Sequence, residues 1–282
     1  MTADRVKLSS GHSMPLLGLG TWQLTGDTCT DAVRKALKMG YRHIDTAEIY
    51  GNHREVAAGI RDFDREKIFL TSKVWSSDLA EDSVVAACRR ALSQLDTDYL
   101  DLYLIHWPNE KFPIEDTMAG MKKLVDEGLV RSLGISNFTP GQTEEAIEAS
   151  DVPIVTNQVE FHPYLFQKEM LSFCEKNKMI VTAYCPVARG EVMDDAVLGE
   201  IAERHGKTPA QVSLRWLVQQ GVAVIPKSTS EKHLKENMDI FGWKLSSEDM
   251  KSIGSIKKEK RLVTMRFSRA VSTLGKIKMR FS

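Results

Sequence analysis

The chain has 282 residues, of which 42% are hydrophobic and 27% charged, a composition that excludes collagen-like, low-complexity and disordered proteins. Thirty-eight basic residues balance 38 acidic ones, so no net charge attracts nucleic acid, and no apolar stretch approaches the ~20 residues of a membrane span. No signal-peptide core and no CxxC spacing is found, and we therefore expect a cytoplasmic protein without a disulfide framework or a metal site.

Eight short apolar runs follow one another along the chain. Near-continuous apolar runs of this length are typical of strands that are buried on both faces of a parallel sheet. The predicted strands cover residues 15–20, 41–45, 67–73, 99–106, 130–136, 154–158, 179–184 and 222–227.

Segments with helical periodicity separate these runs. The first is followed by Gly40, which predicts a helix C-cap at that point. A later one opens with Thr208 as N-cap and Pro209 as its first helical residue. The last interval between strands is longer than the others and predicts two helices, at about 194–204 and 209–219.

The alternation of strands and helices predicts the fold class. Eight βα units close a barrel, so we expect a single-domain α/β protein with the (β/α)8 TIM-barrel fold. An open doubly wound sheet is disfavoured, because Gly18 and Gly20 after the first strand lack the third glycine of the GxGxxG fingerprint. A hairpin with its turn at Ser10-Gly11 is predicted to cap the closed end.

Functional side chains of such barrels lie at the carboxyl ends of the strands. Seven of the eight predicted strands deliver a polar group to this rim. In chain order the groups are Asp45 with Tyr50 in the loop behind it, Lys73, His106, Ser136-Asn137, Asn157-Gln158, Tyr184 and Lys227-Ser228.

An aspartate, a lysine and a tyrosine on one rim predict a proton-donor site. A free tyrosine titrates near ~10, and a cation such as Lys73 beside Tyr50 is expected to lower that pKa. Asp45 would hold the lysine in place, and His106 would orient a substrate oxygen. No GxSxG motif indicates a hydrolase.

Five segments resemble the signatures of the aldo-keto reductase family. The resemblance extends from about residue 5 to residue 261 and is closest to the small prokaryotic aldehyde and keto-acid reductases. It implies a (β/α)8 barrel over residues 1–261 that reduces aldehydes and ketones with NADPH, while acceptance of NADH stays open. The matching segments are HIDTAEIYGN (43–52), LYLIHWP (102–108), GISNF (134–138), NQVEFHP (157–163) and IPKSTS (225–230).

The resemblance also implies residue roles. The catalytic residues would be Asp45, Tyr50, Lys73 and His106, with Tyr50 as proton donor to the carbonyl oxygen. The substrate pocket would be walled by Trp22, Trp75, His106 and Trp107. The implied cofactor contacts are Thr21, Trp22, Asp45, Ser136, Asn137, Gln158, Tyr184, Pro186, Lys227, Ser228, Thr229, His233, Glu236 and Asn237.

Within that cofactor set, the parts of the nucleotide are divided along the chain. Residues 136, 137 and 158 would hold the carboxamide, and Tyr184 would stack on the nicotinamide ring. Residues 227–229 would meet the adenosine 2′-phosphate, and residues 236–237 the adenine.

His233 departs from the family pattern, which usually has an arginine near the 2′-phosphate. Arginine is always charged and binds phosphate in bidentate fashion, whereas histidine is largely neutral above about pH 6.5. Selection for NADPH is therefore expected to be weaker than in relatives that carry the arginine, although Lys227 still favours it.

The C-terminal tail, residues 262–282, does not align with the pocket-closing loop of the family. Residues 256–282 carry nine basic side chains and one acid, and apolar residues from Val263 to Phe281 recur at spacings of 3 and 4. This pattern predicts an amphipathic helix that docks on the barrel or on a second subunit, in a monomer or a tail-mediated dimer. The alternative is a solvated basic arm that binds nucleic acid or an anionic membrane surface.

Two other functions remain open from the residues alone. Lys73 at a barrel strand end is also where Schiff-base lysines of aldolases lie. A nucleotide-binding regulatory protein without turnover is the second alternative, although such a sensor has no need of the acid Tyr50.

Overall fold

The N-terminal hairpin forms as the sequence predicts. In a computed structural model, which describes residues 4–263, β1 (Arg5–Lys7) pairs antiparallel with β2 (Ser13–Pro15). Gly11 in the turn has φ +88°, a conformation that favours glycine. Leu8 and Met14 of this hairpin pack against the first residues of two barrel strands, Phe69 and Leu102, so the hairpin closes the lower end of the barrel.

The eight apolar runs form one parallel sheet in sequential order. Its strands are β3 (Leu19–Gly20), β4 (His43–Asp45), β5 (Phe69–Val74), β6 (Leu102–Ile105), β7 (Leu133–Ser136), β8 (Ile154–Glu160), β9 (Ile180–Tyr184) and β10 (Ala223–Val224). Strands that are neighbours in the sheet are consecutive in the chain and parallel, which is the topology of the (β/α)8 barrel.

Backbone hydrogen bonds between the two ends of this sheet close it into a barrel. Leu17 forms a parallel bridge with Val224, and the amide of Gly18 donates to the Val224 carbonyl at 2.9 Å. The amide of Gly20 donates to the Pro226 carbonyl at 3.2 Å. A Cβ at Gly20 would lie 2.7 Å from the Ile225 carbonyl oxygen, so only glycine permits this close approach.

Ten α-helices follow the strands on the outer surface in the described part of the chain. They are α1 (Gly26–Met39), α2 (His53–Ile60), α3 (Glu81–Leu95), α4 (Ile114–Asp126), α5 (Pro140–Glu148), α6 (Lys168–Lys176), α7 (Ala196–His205), α8 (Pro209–Val218), α9 (Glu231–Met238) and α10 (Ser247–Gly254). The main core lies between these helices and the strands. Over residues 4–263, no helix is long and apolar enough to cross a membrane.

The predicted helix ends agree with local backbone chemistry. Gly40 caps α1 in the left-handed conformation, with φ 107°. Thr208 and Gln211 form a capping box around Pro209 at the start of α8. The predicted pair of helices in the last interval is therefore confirmed, as α7 and α8.

The first and last barrel strands are shorter than predicted. The run at 15–20 contributes only Leu19–Gly20 to the strand ladder, and the run at 222–227 contributes only Ala223–Val224. Leu17 and Ile225 are nevertheless buried. The apolar pattern of the sequence indicates which residues are buried. Where the first and last strands meet, buried residues continue beyond the residues that form the hydrogen bonds of the sheet. Apart from Val263, the stripe of the predicted tail helix lies at 264–282, outside the described residues.

Candidate active site

Asp45 and Lys73 form a buried ion pair at the upper end of the barrel. They are the last residue of β4 and the fifth residue of β5, and the Lys73 Nζ lies 2.6 Å from Asp45 Oδ1. Lys73 also donates to the Thr46 carbonyl at 2.8 Å, and Gln158 donates to Asp45 Oδ2 at 2.8 Å. These hydrogen bonds compensate the desolvation of both charges, as a buried pair requires.

Tyr50 reaches this pair from the loop after β4. Its hydroxyl lies 3.4 Å from Lys73 Nζ, at the long end of the range for a hydrogen bond. The ring packs edge-on against Trp22 and His106, with centroid distances of 5.9 and 5.6 Å. The loop is fixed by the buried Asn52, whose amide donates to two carbonyls of the segment after β3.

His106 follows β6 directly and lies between Tyr50 and Trp75. Its ring meets that of Trp75 edge-on at 5.2 Å, and Asn137 donates to its backbone carbonyl at 3.0 Å. Burial, together with the nearby Lys73 charge, lowers the pKa of His106 well below that of a free imidazole. At neutral pH the ring is therefore uncharged and offers one N–H donor.

The electrostatics of Tyr50 differ from the sequence-based expectation. Burial raises the pKa of Tyr50 well above its usual range, and the Asp45 carboxylate raises it further. The net pKa is therefore raised, not lowered as the sequence-based expectation had it, because burial and the Asp45 carboxylate outweigh the effect of Lys73, whose ammonium lies 3.4 Å from the hydroxyl. Burial also lowers the pKa of Lys73 itself, against the opposing effect of Asp45. Tyr50 consequently keeps its proton at neutral pH.

One cavity of about 570 Å³ opens over these residues. This volume is within the usual range for small-molecule sites. Of the sequence-predicted site residues, those that line it are Trp22, Asp45, Tyr50, Trp75, His106, Trp107, Asn137, Gln158, Tyr184, Pro186, Lys227, Ser228, His233, Glu236 and Asn237. Lys73 lies beneath the cavity floor and acts on it only through Tyr50 and Asp45.

Three predicted cofactor residues lie outside the lining. Thr21 is buried, and its hydroxyl donates to the Asp45 carbonyl at 2.9 Å, so it supports the floor from behind. Ser136 donates to the Gln158 carbonyl at 2.7 Å. Thr229 is exposed next to the cavity.

Asn137 joins the residues expected to meet a carboxamide. It adopts φ +64°, which asparagine tolerates better than most residues. Its side-chain amide donates to Ser136 Oγ at 3.0 Å, and its carbonyl oxygen accepts from the Tyr184 hydroxyl at 2.8 Å. The Tyr184 ring is thereby fixed in the cavity wall.

The far end of the cavity is formed by the segment after β10 and by α9. Lys227 and His233 are exposed there, whereas Ser228 and Asn237 are buried. Ser230 caps α9, so the backbone N–H groups of the first turn of this helix add positive potential to the same end. The combination of cationic and neutral donors suits a phosphate-bearing ligand.

Apart from Pro186, sequence reasoning missed the loop between β9 and α7. Residues of this loop line the cavity, and Cys185, Ala188 and Arg189 all have φ between 46° and 56°. Burial raises the pKa of the Cys185 thiol, which therefore stays protonated. The long last interval between predicted strands was the one available signal for this loop.

Two further residues were missed because they act at a distance in sequence. Val263, at the end of the described chain, lines the cavity. His53 is buried behind the site. Its ring nitrogens lie 2.9 Å from Ser72 Oγ and 3.1 Å from Gln94 Oε1. This contact ties the start of α2, just after the Tyr50 loop, to β5 next to Lys73.

No cluster of side chains in residues 4–263 has the composition and spacing of a metal site.

The sequence profile of the Aldo/keto reductase family matches residues 16–258. Glyoxal reductase of Bacillus subtilis is 44% identical over 262 residues, which cover 92% of this chain and 95% of that protein.

Solved structures give the same result. An aldo/keto reductase from Brucella melitensis superposes with a TM-score of 0.86 at 43% identity, covering 90% of this chain and 99% of that one. The aldose reductase of Schistosoma japonicum gives a TM-score of 0.88 at 36% identity, covering 92% and 93% of the two chains.

Proposed function

Since the chain belongs to the aldo/keto reductase family, we propose that it reduces aldehydes or ketones with NADPH and that Tyr50 donates the proton to the carbonyl oxygen. The observation that carries this proposal is the cluster of Asp45, Tyr50, Lys73 and His106 at the floor of one cavity.

The donor set of the cavity fits a nicotinamide nucleotide. Asn137, Gln158 and Tyr184 would hold the nicotinamide end, and Lys227 with Ser228 the phosphate of the adenosine end. Glu236 and Asn237 are available to an adenine base. When bound, this cofactor supplies the hydride for the carbonyl carbon.

The protein's own groups supply the proton and orient the substrate. Tyr50 keeps its proton at neutral pH, so its hydroxyl is available as a general acid. Neutral His106 can donate a hydrogen bond to the same carbonyl oxygen, which fixes that oxygen near the phenol. Lys73 stabilises the phenolate left after proton transfer, and Asp45 keeps the lysine oriented. Trp22, Trp75 and Trp107 form apolar walls that exclude water from the reacting atoms.

The burial of Lys73 argues against an aldolase. Its side chain is 0% exposed and its amine is occupied by Asp45, Thr46 and Tyr50, so a carbonyl carbon cannot reach it. The retained acid Tyr50 argues against a sensor without turnover.

The test is a substrate panel that includes glyoxal, the substrate named for the Bacillus subtilis relative, with NADPH and NADH in turn. We expect aldehyde-dependent loss of nicotinamide absorbance and formation of the corresponding alcohol. Absence of turnover across the panel, or trapping of a substrate on Lys73 by borohydride, would contradict the proposal.

A further inference from the structure

A buried carboxylate next to the active site is held by hydrogen bonds from a distant part of the chain. Glu160 ends β8, and its side chain is 0% exposed. His162 Nε2 lies 2.9 Å from Oε1, and the backbone N–H groups of Leu262 and Val263 donate to the carboxylate at 2.6 and 2.8 Å.

These donors decide whether the carboxylate can be buried as a charged group. An ionised carboxyl group away from water is costly unless donors compensate it, and hydrogen bonds to a charged acceptor are stronger than neutral ones. Two of the three donors come from residues more than 100 positions downstream. The charge of Glu160 and the docking of residues 262–263 therefore stabilise each other.

The segment 256–263, which we call the C-terminal strap, has a second set of contacts. Lys258 and Lys260 both pair with Glu191, at 3.1 and 2.5 Å, and the Lys260 amide donates to the Tyr164 carbonyl at 2.9 Å. Glu191 belongs to the β9–α7 loop that lines the cavity. These ion pairs are largely solvated and hold the strap less firmly than the buried carboxylate does.

The strap ends inside the site. Leu262 packs into the main core, and Val263 lines the same cavity as Tyr50 and Trp107. We propose that Glu160 is a positioning residue, which docks the strap so that Val263 forms the wall against the apolar substituent of the carbonyl substrate. The substrate part of this inference rests on the proposed reductase function.

Glu160→Gln in the full-length chain tests whether the Glu160 carboxylate docks the C-terminal strap. The amide keeps one acceptor but turns an NH2 group toward backbone N–H donors, so at least one hydrogen bond is lost. We expect hydrogen exchange at the amides of 262–263 to become at least about tenfold faster, the equivalent of one such bond. The KM for an apolar aldehyde should rise by about tenfold, with kcat and NADPH affinity within about twofold of the wild type.

Two matched variants separate the docking of the strap by Glu160 from the effect of Val263 on the substrate. Val263→Ala should raise KM for the same aldehyde while the exchange rates of 262–263 stay unchanged, because it removes the wall but not the N–H donor. Glu191→Gln should leave both readouts near wild type, since it removes only solvated ion pairs of the strap.

Unchanged hydrogen exchange at the amides of 262–263 in Glu160→Gln would contradict the claim that Glu160 docks the strap. Faster exchange with unchanged KM would overturn the role of the strap in the substrate pocket. If Glu160→Gln does not fold, Val263→Pro removes one donor without touching the buried carboxylate and must make exchange at the Leu262 amide faster. Because proline carries no N–H and also replaces the Val263 side chain, its KM is compared with that of Val263→Ala and must be at least as high. Exchange is measured without substrate, so a wild-type protein that lacks reductase activity would overturn the proposed function separately.

Discussion

The cluster around Asp45 and Lys73, our proposed reaction centre, is built differently from the end of the cavity around Lys227 and His233, our proposed distal cofactor end. Asp45 and Lys73 are 1% and 0% exposed and are held by at least two hydrogen bonds each. Lys227 and His233 at the other end are exposed, and the Lys227 ammonium makes a single long hydrogen bond among the described residues, to Gln23 Oε1 at 3.4 Å.

This difference separates groups that are ordered by folding from groups that a ligand must order. At the reaction centre, burial and mutual hydrogen bonds fix the geometry in advance, which is how positioned acids and dipoles accelerate a reaction. At the distal end, solvated side chains lose freedom only on binding. Substitutions at the centre should therefore affect turnover and stability, and those at the distal end cofactor affinity.

The largest effect is expected for Tyr50→Phe. The ring and its packing against Trp22 and His106 remain, but the proton donor is lost, so kcat should fall by at least about 10²–10⁴-fold. NADPH affinity, measured by fluorescence titration, should stay near wild type. A variant with near-normal turnover would contradict the role of Tyr50 as acid.

Lys73→Met should be the most destabilising change at the centre. It leaves the buried Asp45 carboxylate without its cation, and breaking a buried pair in this way costs about 3–5 kcal/mol. Urea unfolding should show this loss, together with a large loss of turnover. Lys122→Met, which breaks the exposed pair with Asp126, is the matched control and should leave the unfolding midpoint nearly unchanged. Equal effects of the two variants would show that burial of the pair is not what matters.

His233→Arg should increase the cofactor selectivity of the proposed distal cofactor end. A permanently charged, bidentate side chain in place of an exposed imidazole should increase the preference for NADPH over NADH by about tenfold, with kcat unchanged. Dissociation constants for both cofactors measure this change. An unaltered ratio of the two constants would mean that residue 233 does not meet the 2′-phosphate.

The smallest effect is expected for pH. Tyr50 must hold its proton to donate it, and its pKa is raised well above the usual range, so it stays protonated as pH rises. The pKa of His106 is lowered well below the usual range, so the ring stays neutral as pH falls to about 6. Reductive kcat should therefore be nearly constant between about pH 6 and about pH 9. A step near pH 6.5 that disappears in His106→Gln would contradict the neutral imidazole.

The sequence by itself determined the barrel and the residues of the proposed reaction centre. Apolar runs separated by helical segments report buried strands, and a residue at the end of a strand lies at one rim whatever its neighbours are. Asp45, Lys73 and His106 were therefore assigned to a common rim from their strands, and the residue roles taken from the family resemblance fell on the same positions.

Only the tertiary structure decided the wall formed by the β9–α7 loop and the supports of the site. The β9–α7 loop has no periodic apolar pattern, because left-handed conformations at Cys185, Ala188 and Arg189 interrupt any regular helix or strand. Val263 lines the cavity, and its backbone N–H donates to the carboxylate of Glu160, more than 100 residues earlier in the chain. The raised pKa of Tyr50 likewise depends on burial and on the nearby Asp45 carboxylate. Hydrophobic periodicity is a local property of the chain, whereas desolvation and long-range hydrogen bonds exist only once distant segments have packed together.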